Sequence, residues 1–285
     1  MFDFSKKLKI SYVKEVAKNQ IEDVMVVGDG HDSPELNKKR FTWAGKHASK
    51  EQPACIVFIG DLGTFDSCNS HEKNDTVKGK KKPTVLEDIQ SLEKALSAFI
   101  LPIRLLQDRQ RKNKIKIYKP KIVITLGNHC DRLARFIEKN PEMEGFFETI
   151  FLPIFAKAGI DVVPYQDYFQ FHDMHYTHTP INGMGKPFGG VNMGRNIAMN
   201  VSFNVTHGHK HELYEYVQPK ISHGGEVDGI HVICTGAFLP SGYREPYAAK
   251  SQSYWTSCLT MQRFVGGKYK STSRVSIDEL EVLYG

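Results

Sequence analysis

Residues 23–31 read DVMVVGDGH, and two later stretches repeat the form: CIVFIGD at 55–61 and KIVITLGNH at 121–129. Each is a short apolar run, rich in β-branched residues, that stops at glycine and a polar side chain. That pattern predicts a buried strand ending in a loop. The three strands are expected at Asp23–Val27, Cys55–Ile59 and Lys121–Leu126. Between the second and third, Leu86, Ile89, Leu92, Leu96, Phe99 and Ile103 recur at steps of three or four, so Pro83–Arg111 reads as a helix. Pro102 is expected to kink or interrupt it. Asp131–Lys139 and Phe146–Lys157 also read as helices, and Asn196–Asn200 as helix-like. The second half is richer in short strands, at Val162–Tyr165, Asp173–Thr177, Val201–Thr206, Glu212–Val217, Gly229–Thr235 and Ser257–Val265. Alternating strands and helices imply a sheet covered by helices. With no internal repeat and no low-complexity linker, the reading is one domain over residues 1–285.

The composition is that of a soluble globular protein: 285 residues, 40% hydrophobic, 25% charged, net charge +6. No stretch approaches the ~20 apolar residues needed to cross a bilayer, and the opening MFDFSKKLKI lacks the continuous apolar core of a signal peptide. No membrane association and a cytoplasmic location are the expectations. The five cysteines are widely spaced with no C-x-x-C pair, which argues against a disulfide framework or a cysteine zinc site. Two basic stretches stand out. Lys78–Lys82 reads KGKKK, and Arg104–Lys121 holds eight Lys/Arg against Asp108 alone. They read as a solvated loop and helix face, or as a surface that attracts a polyanion.

The chemistry sits at the strand ends. Asp29 and His31 follow the first strand, Asp61 the second, and Asn128 with His129 the third. Strand C-termini are where open α/β sheets place ligands, so these groups can converge. The preceding glycines are expected to let the backbone turn sharply and approach a bound ion or phosphate. Downstream, His178 follows a strand, and G-H-K-H supplies His209 and His211. In an extended segment that pair shares a face about 6–7 Å apart. Any one piece has a bland reading: a strand-end Asp caps a helix, a lone His is a hydrogen-bonded core residue, an Asn makes a turn. The ordered set D-x-H, G-D, G-N-H, H, G-H-x-H is far more specific.

With that set the chain resembles the calcineurin-like metallophosphoesterases, and in detail their bacteriophage-encoded members. The similar stretches include LGNHCDRLARFIEKNPEMEG, HYTHTPINGMGKPFGG, a Gly-Ala-Phe and the ending SIDELEVLYG. The resemblance runs from about Val24 to the C-terminus. It implies a four-layer α/β/β/α sandwich of two mixed sheets flanked by helices. It also implies two divalent metal ions. One would be held by Asp29, His31, Asp61 and His211, the other by Asp61, Asn128, His178 and His209, with Asp61 bridging. His129 would stabilise the transition state or act as general acid. A carboxylate shared by two cations holds them ~3.5–4 Å apart, a spacing that suits in-line displacement at phosphorus. Mixed imidazole, carboxylate and amide ligands favour Mn²⁺ first, with Fe or Zn²⁺ as alternatives. A phage protein would work in the host cytoplasm.

The chain departs from the family pattern at Cys130, where an acidic residue usually follows G-N-H and orients the histidine. Asp131 is a candidate substitute, and a shifted helix start is another. Cys130 itself reads as a small buried thiol. His175 is the main rival of His178 as ligand; His172 also competes, and His207 is expected to shape its loop. Lys186 and Arg195, in and beside the glycine-rich Gly183–Gly194, are candidate phosphate contacts at a helix start. Asp66, Asn69 and His71 are further candidates to face substrate. The expected function is a metal-dependent phosphoesterase, foremost a phosphodiesterase acting on nucleic acid or nucleotides, with no obligate protein partner implied. The alternatives are a phosphomonoesterase on protein Ser/Thr or small molecules, and a non-catalytic nucleic-acid-binding protein.

Overall fold

In the computed structural model, residues 11–12, 16–70, 79–221, 227–243 and 254–285 are described. The strands in chain order are β1 (Ser11–Tyr12), β2 (Ile21–Val27), β3 (Cys55–Phe58), β4 (Lys121–Thr125), β5 (Asp161–Val163), β6 (Phe169–Phe171), β7 (Met174–Thr177), β8 (Asn204–His207), β9 (Leu213–Ile221), β10 (Val227–Thr235), β11 (Cys258–Val265) and β12 (Lys268–Ser276). The α-helices among the described residues are α1 (Lys39–Glu51), α2 (Val85–Lys112), α3 (Asn128–Glu138), α4 (Leu152–Ala158), α5 (Met193–Asn200) and α6 (Ile277–Tyr284). The first sheet has the order β12-β11-β2-β3-β4-β5, parallel from β2 to β5. The second has the order β1-β6-β7-β8-β10-β9. Both are mixed.

The two-residue period of β2 shows how the layers form. Met25 and Val27 join Ile56, Phe58, Ile122 and Ile124 in the core beneath α1, α2, α3, α4 and α6. Val24 and Val26 point the other way, into a core shared with Phe169, Phe171, Met174 and Tyr176 of the second sheet. On that sheet's far face Met193, Ile197 and Ala198 of α5 pack on Val205, Ile230 and Val232. The molecule is therefore an α/β sandwich with a sheet-to-sheet interior. Gln262 links the sheets within it, accepting from the Tyr176 hydroxyl at 2.8 Å and donating to Thr206 Oγ1 at 2.9 Å. Beyond the strand ends, Ala237 bridges both Asp29 and Ser257 and laces the sheets together.

Several expectations need correction. Pro102 does not interrupt α2, which runs from Val85 to Lys112. A Cβ on Gly45 of α1 would collide with the Phe99 carbonyl and come within 3.2 Å of Pro102 Cγ. The α1–α2 contact thus closes on the proline, and packing overrides the lost backbone hydrogen bond. Helix α3 starts at Asn128, three residues early, which puts Asn128 and His129 in its first turn. The Phe146–Lys157 helix is a π-helical turn at Phe147–Phe151 followed by α4. Helix α5 starts at Met193, so Gly194 and Arg195 are helical rather than loop residues. Strand β5 is shifted to Asp161–Val163. No helix among the described residues is long and apolar enough to cross a membrane.

The basic stretch Arg104–Lys121 covers the C-terminal part of α2 and the approach to β4. Because β4 begins at Lys121, this stretch lies at the end of the sheet opposite the strand C-termini. Arg109, Arg111 and Lys112 there meet the negative end of the α2 dipole. Of KGKKK, Lys78 lies outside the described residues. Lys82 donates to the Asn69 carbonyl at 2.6 Å.

Candidate metal centre

The loops after β2 and β3 continue the parallel pairing of their strands. His31 N–H donates to the Asp61 carbonyl at 2.8 Å, Asp32 N–H to Leu62 at 2.8 Å, and Thr64 N–H back to Asp32 at 2.9 Å. This zipper holds Asp29, His31 and Asp61 side by side. Asn128 and His129 come from the first turn of α3, His178 from the end of β7, and His209 and His211 from the loop after β8. Both sheets therefore contribute, and all eight predicted residues meet at one place.

The donor atoms face each other. His211 Nε2 lies 3.0 Å from both Asp29 Oδ2 and His31 Nε2. His178 Nε2 lies 3.0 Å from Asp61 Oδ2 and from Asn128 Oδ1. Among the described residues, three groups hold their ligand atoms within 4.8 Å of one another: Asp29 with His31 and His211, His31 with Asp61 and His129, and Asp61 with His178 and His209. All but His209 are buried. Two imidazole nitrogens 3.0 Å apart with the Asp29 carboxylate beside them bring three metal-type ligand atoms to one point, so these clusters could hold a metal ion.

Charge and strain agree with that reading. Burial works against the charge on Asp61, but His178, His129 and His31 around it hold its carboxyl well below the usual carboxylate range. Asp29 is likewise lowered: burial opposes its charge, and His178 and His211 outweigh it. Burial disfavours the His178 cation too, yet Asp61 and Asp29 push its pKa up to about 9. His31 (φ 40°), Asp61 (φ 40°), His209 (φ 71°) and His211 (φ 57°) all adopt the left-handed backbone region. Non-glycine residues are held there at about 1–3 kcal/mol each, and such strain collects at functional sites.

The glycines act differently from the expectation. Gly60 alone of the motif glycines has a positive φ, +107°. A Cβ on Gly127 would collide with Asp61 Oδ1, one on Gly208 with Asp29 Oδ1, and one on Gly60 would lie 2.5 Å from His178 Nδ1. They are small so that the donor side chains fit, rather than to bring backbone to a ligand.

The rival histidines have other partners. His175 packs on Phe203, ring centroids 4.3 Å apart. His172 pairs with Glu22 at 2.7 Å. His207 binds the Tyr214 hydroxyl at 2.9 Å, and burial lowers its pKa to about 4. His178 is fixed from behind by the Ile59 carbonyl, 2.9 Å from Nδ1. Asp131 does not take the place of the acidic residue missing at position 130. It pairs with Arg135 at 2.8 Å, while the Thr64 carbonyl sits 2.8 Å from His129 Nδ1. Cys130 is buried, and burial pushes its thiol up to about 12. Sequence reasoning missed Thr64, because a main-chain carbonyl carries no residue signature. It also missed Trp255, whose ring stands edge-on to His211 at 4.3 Å.

The substrate candidates fare less well. Lys186 and Arg195 are exposed, and no hydrogen bond or ion pair among the described residues joins either to the cluster. Lys186 N–H donates to Asn182 Oδ1 at 3.1 Å in a tight loop. Asp66 lies 3.6 Å from Arg132, and the Asn69 carbonyl receives Lys82. His71 lies outside the described residues. Compared with protein-family models and with curated proteins, the chain gives no match.

Proposed function

We propose that this chain is a metal-dependent phosphoesterase of the calcineurin-like kind, foremost a phosphodiesterase acting on nucleic acid or nucleotides. One observation carries the reading: eight predicted Asp, Asn and His residues from five strand ends of two sheets meet in one strained, mostly buried cluster. Asp29, His31, Asp61 and His211 would hold one divalent ion, and Asp61, Asn128, His178 and His209 a second, Mn²⁺ being the first choice. Such ions supply Lewis acidity and a water whose pKa falls toward neutrality. Asp61 keeps its charge through its histidine neighbours and fixes α3 by accepting the His129 N–H at 2.7 Å. The Thr64 carbonyl leaves His129 Nε2 turned toward the cluster, 3.9 Å from Asp61 Oδ2. From there His129 can donate a hydrogen bond to a phosphoryl or leaving-group oxygen.

The test is Mn²⁺-dependent hydrolysis of bis-p-nitrophenyl phosphate and p-nitrophenyl phosphate by wild type and His209→Ala. His209 lies at the exposed edge of the cluster, so its removal spares the core. Diester preference, lost in the variant, is the expected result. Monoester preference would replace the reading with a phosphomonoesterase, and no metal-dependent turnover of either ester would overturn it.

A second expectation follows from the His178 pKa of about 9. His178 carries a proton at pH 7, and a cation bound at Nε2 must replace it. Mn²⁺ binding at pH 7 should release about one proton, and its affinity should rise about tenfold per pH unit until about pH 9. Calorimetric titration in buffers of differing ionisation enthalpy measures this directly. No proton release would remove His178 from the ligand set.

A further inference from the structure

The segment that follows the Asp61 loop and the outer face of α3 enclose a small cavity of about 80 Å³, lined by Cys68, Asn69, Ser70, Arg132, Arg135, Phe136 and Lys139. The α3 residues are spaced by three and four, so they share one helix face. The same helix delivers Asn128 and His129 to the metal cluster. At 1.5 Å rise per residue, Arg132 lies about 5 Å and Lys139 about 15 Å from His129 along the axis. Arg132 also reaches the cluster's own framework. Its Nη1 donates at 3.1 Å to the Thr64 carbonyl, the same atom that lies against His129.

The charges near the cavity are unequal. Asp66, 3.6 Å from Arg132, and Asp131, 2.8 Å from Arg135, face two of the three cations. Lys139 is exposed and forms no ion pair among the described residues. Arg135 is exposed as well, so its guanidinium is accessible from solvent. The long basic stretch of the sequence lies at the far end of the sheet, whereas Arg132, Arg135 and Lys139 line a cavity on the helix that carries Asn128 and His129.

We propose that this cavity is a phosphate subsite for a single-stranded nucleic acid, taking the phosphodiesters that neighbour the one at the metal cluster. The assignment rests on the phosphodiesterase reading and narrows its substrate to a chain. Phosphates along a strand recur every 3.4 Å of duplex axis and further apart when the strand is extended. One to a few nucleotides therefore span the 5–15 Å from His129 to the cavity residues. Arginine offers a bidentate fork to phosphate oxygens and Lys139 a point charge, with the Asn69 and Ser70 side chains as polar lining.

The experiment compares wild type with Arg135→Gln/Lys139→Gln, exposed positions whose change spares the core. Binding of a fluorescein-labelled 12-mer of thymidylate is read by anisotropy in EDTA across a salt series. The expected result is a Kd about tenfold weaker and a log Kd against log salt slope reduced by about 1.4, for two lost phosphate contacts. The ratio of kcat/KM on the 12-mer to that on bis-p-nitrophenyl phosphate, which has no second phosphate, should fall by a similar factor. Unchanged Kd and slope in a protein that hydrolyses the small diester would overturn the subsite and leave the phosphodiesterase reading standing. Loss of 12-mer binding in the variant, with no hydrolysis of any ester by wild type, would support the subsite and sink that reading. Displacement of the 12-mer by equimolar nucleoside 3′,5′-bisphosphate would show a pocket for a terminal phosphate and overturn the strand assignment.

Discussion

Asp61→Asn should lower Mn²⁺-dependent diester hydrolysis by about a thousandfold or more while the protein stays folded. Asparagine has the shape of aspartate and keeps an oxygen to accept the His129 N–H, now 2.7 Å from Oδ1. The start of α3 is thus preserved. What is lost is the charge that faces His178 at 3.0 Å and that would be shared by both ions. An amide nitrogen turned toward His178 supplies a donor where an acceptor is needed. The measurement pairs steady-state hydrolysis with circular dichroism and thermal melting in EDTA. A folded variant retaining more than about a tenth of wild-type activity would show that Asp61 does not bridge metal ions.

Arg40→Met should cost about 3–5 kcal/mol of stability, the largest effect expected outside the cluster. Arg40 is 2% exposed, yet it donates to the Gly30 carbonyl at 3.0 Å, the Phe238 carbonyl at 3.0 Å, the Asn37 carbonyl at 3.1 Å and Asp32 Oδ1 at 3.2 Å. Lys38 and Ser91 complete the shell of Asp32, at 2.6 and 2.7 Å. Burial raises the Asp32 pKa and lowers those of Arg40 and Lys38, so desolvation dominates the network. Such a network adds little net stability when whole and costs much when one partner is removed. Methionine fills the space but leaves three carbonyls and a carboxylate short of donors. Lysine would not restore the fork. Urea unfolding of Arg40→Met, Asp32→Leu and the double variant tests this. The double variant should be less destabilised than the sum of the singles by about 1–3 kcal/mol. Strict additivity would mean that the two side chains do not act as a unit.

Much of the first sheet is legible in sequence because its central strands are buried on both faces. DVMVV, CIVFI and KIVITL are apolar without alternation, and each stops at a glycine. Asp29, His31, Asp61, Asn128 and His129 are legible for the same reason, since they follow such a stop. Strand β12 is not, because KYKSTSRVS lies at the sheet edge and is largely polar. Helix α1 escaped notice because its apolar residues, Phe41, Trp43, Ala44 and Ala48, are interspersed with Lys46, His47 and Lys50. Tertiary contacts settle what spacing cannot. His175 and His178 are three residues apart, but one points at Phe203 and the other at Asp61. The glycines look like turn formers in sequence, and only their neighbours reveal that three of them make room for donor side chains.

The donors are drawn from both halves of the sandwich: Asp29, His31, Asp61 and Asn128 from the first sheet, His178, His209 and His211 from the second. In an unfolded chain these groups, spread over some 180 positions, have no common centre. A cation that needs donors from both sheets is therefore a ligand of the folded state alone. At a free concentration a hundred times its Kd, such a ligand adds about 2.7 kcal/mol to the unfolding free energy. The ion would act as a rivet between layers that otherwise share an apolar interior, the Gln262 hydrogen bonds and the Ala237 bridges. The resilience of the protein would then track the metal supply of its surroundings, apart from any reaction it performs.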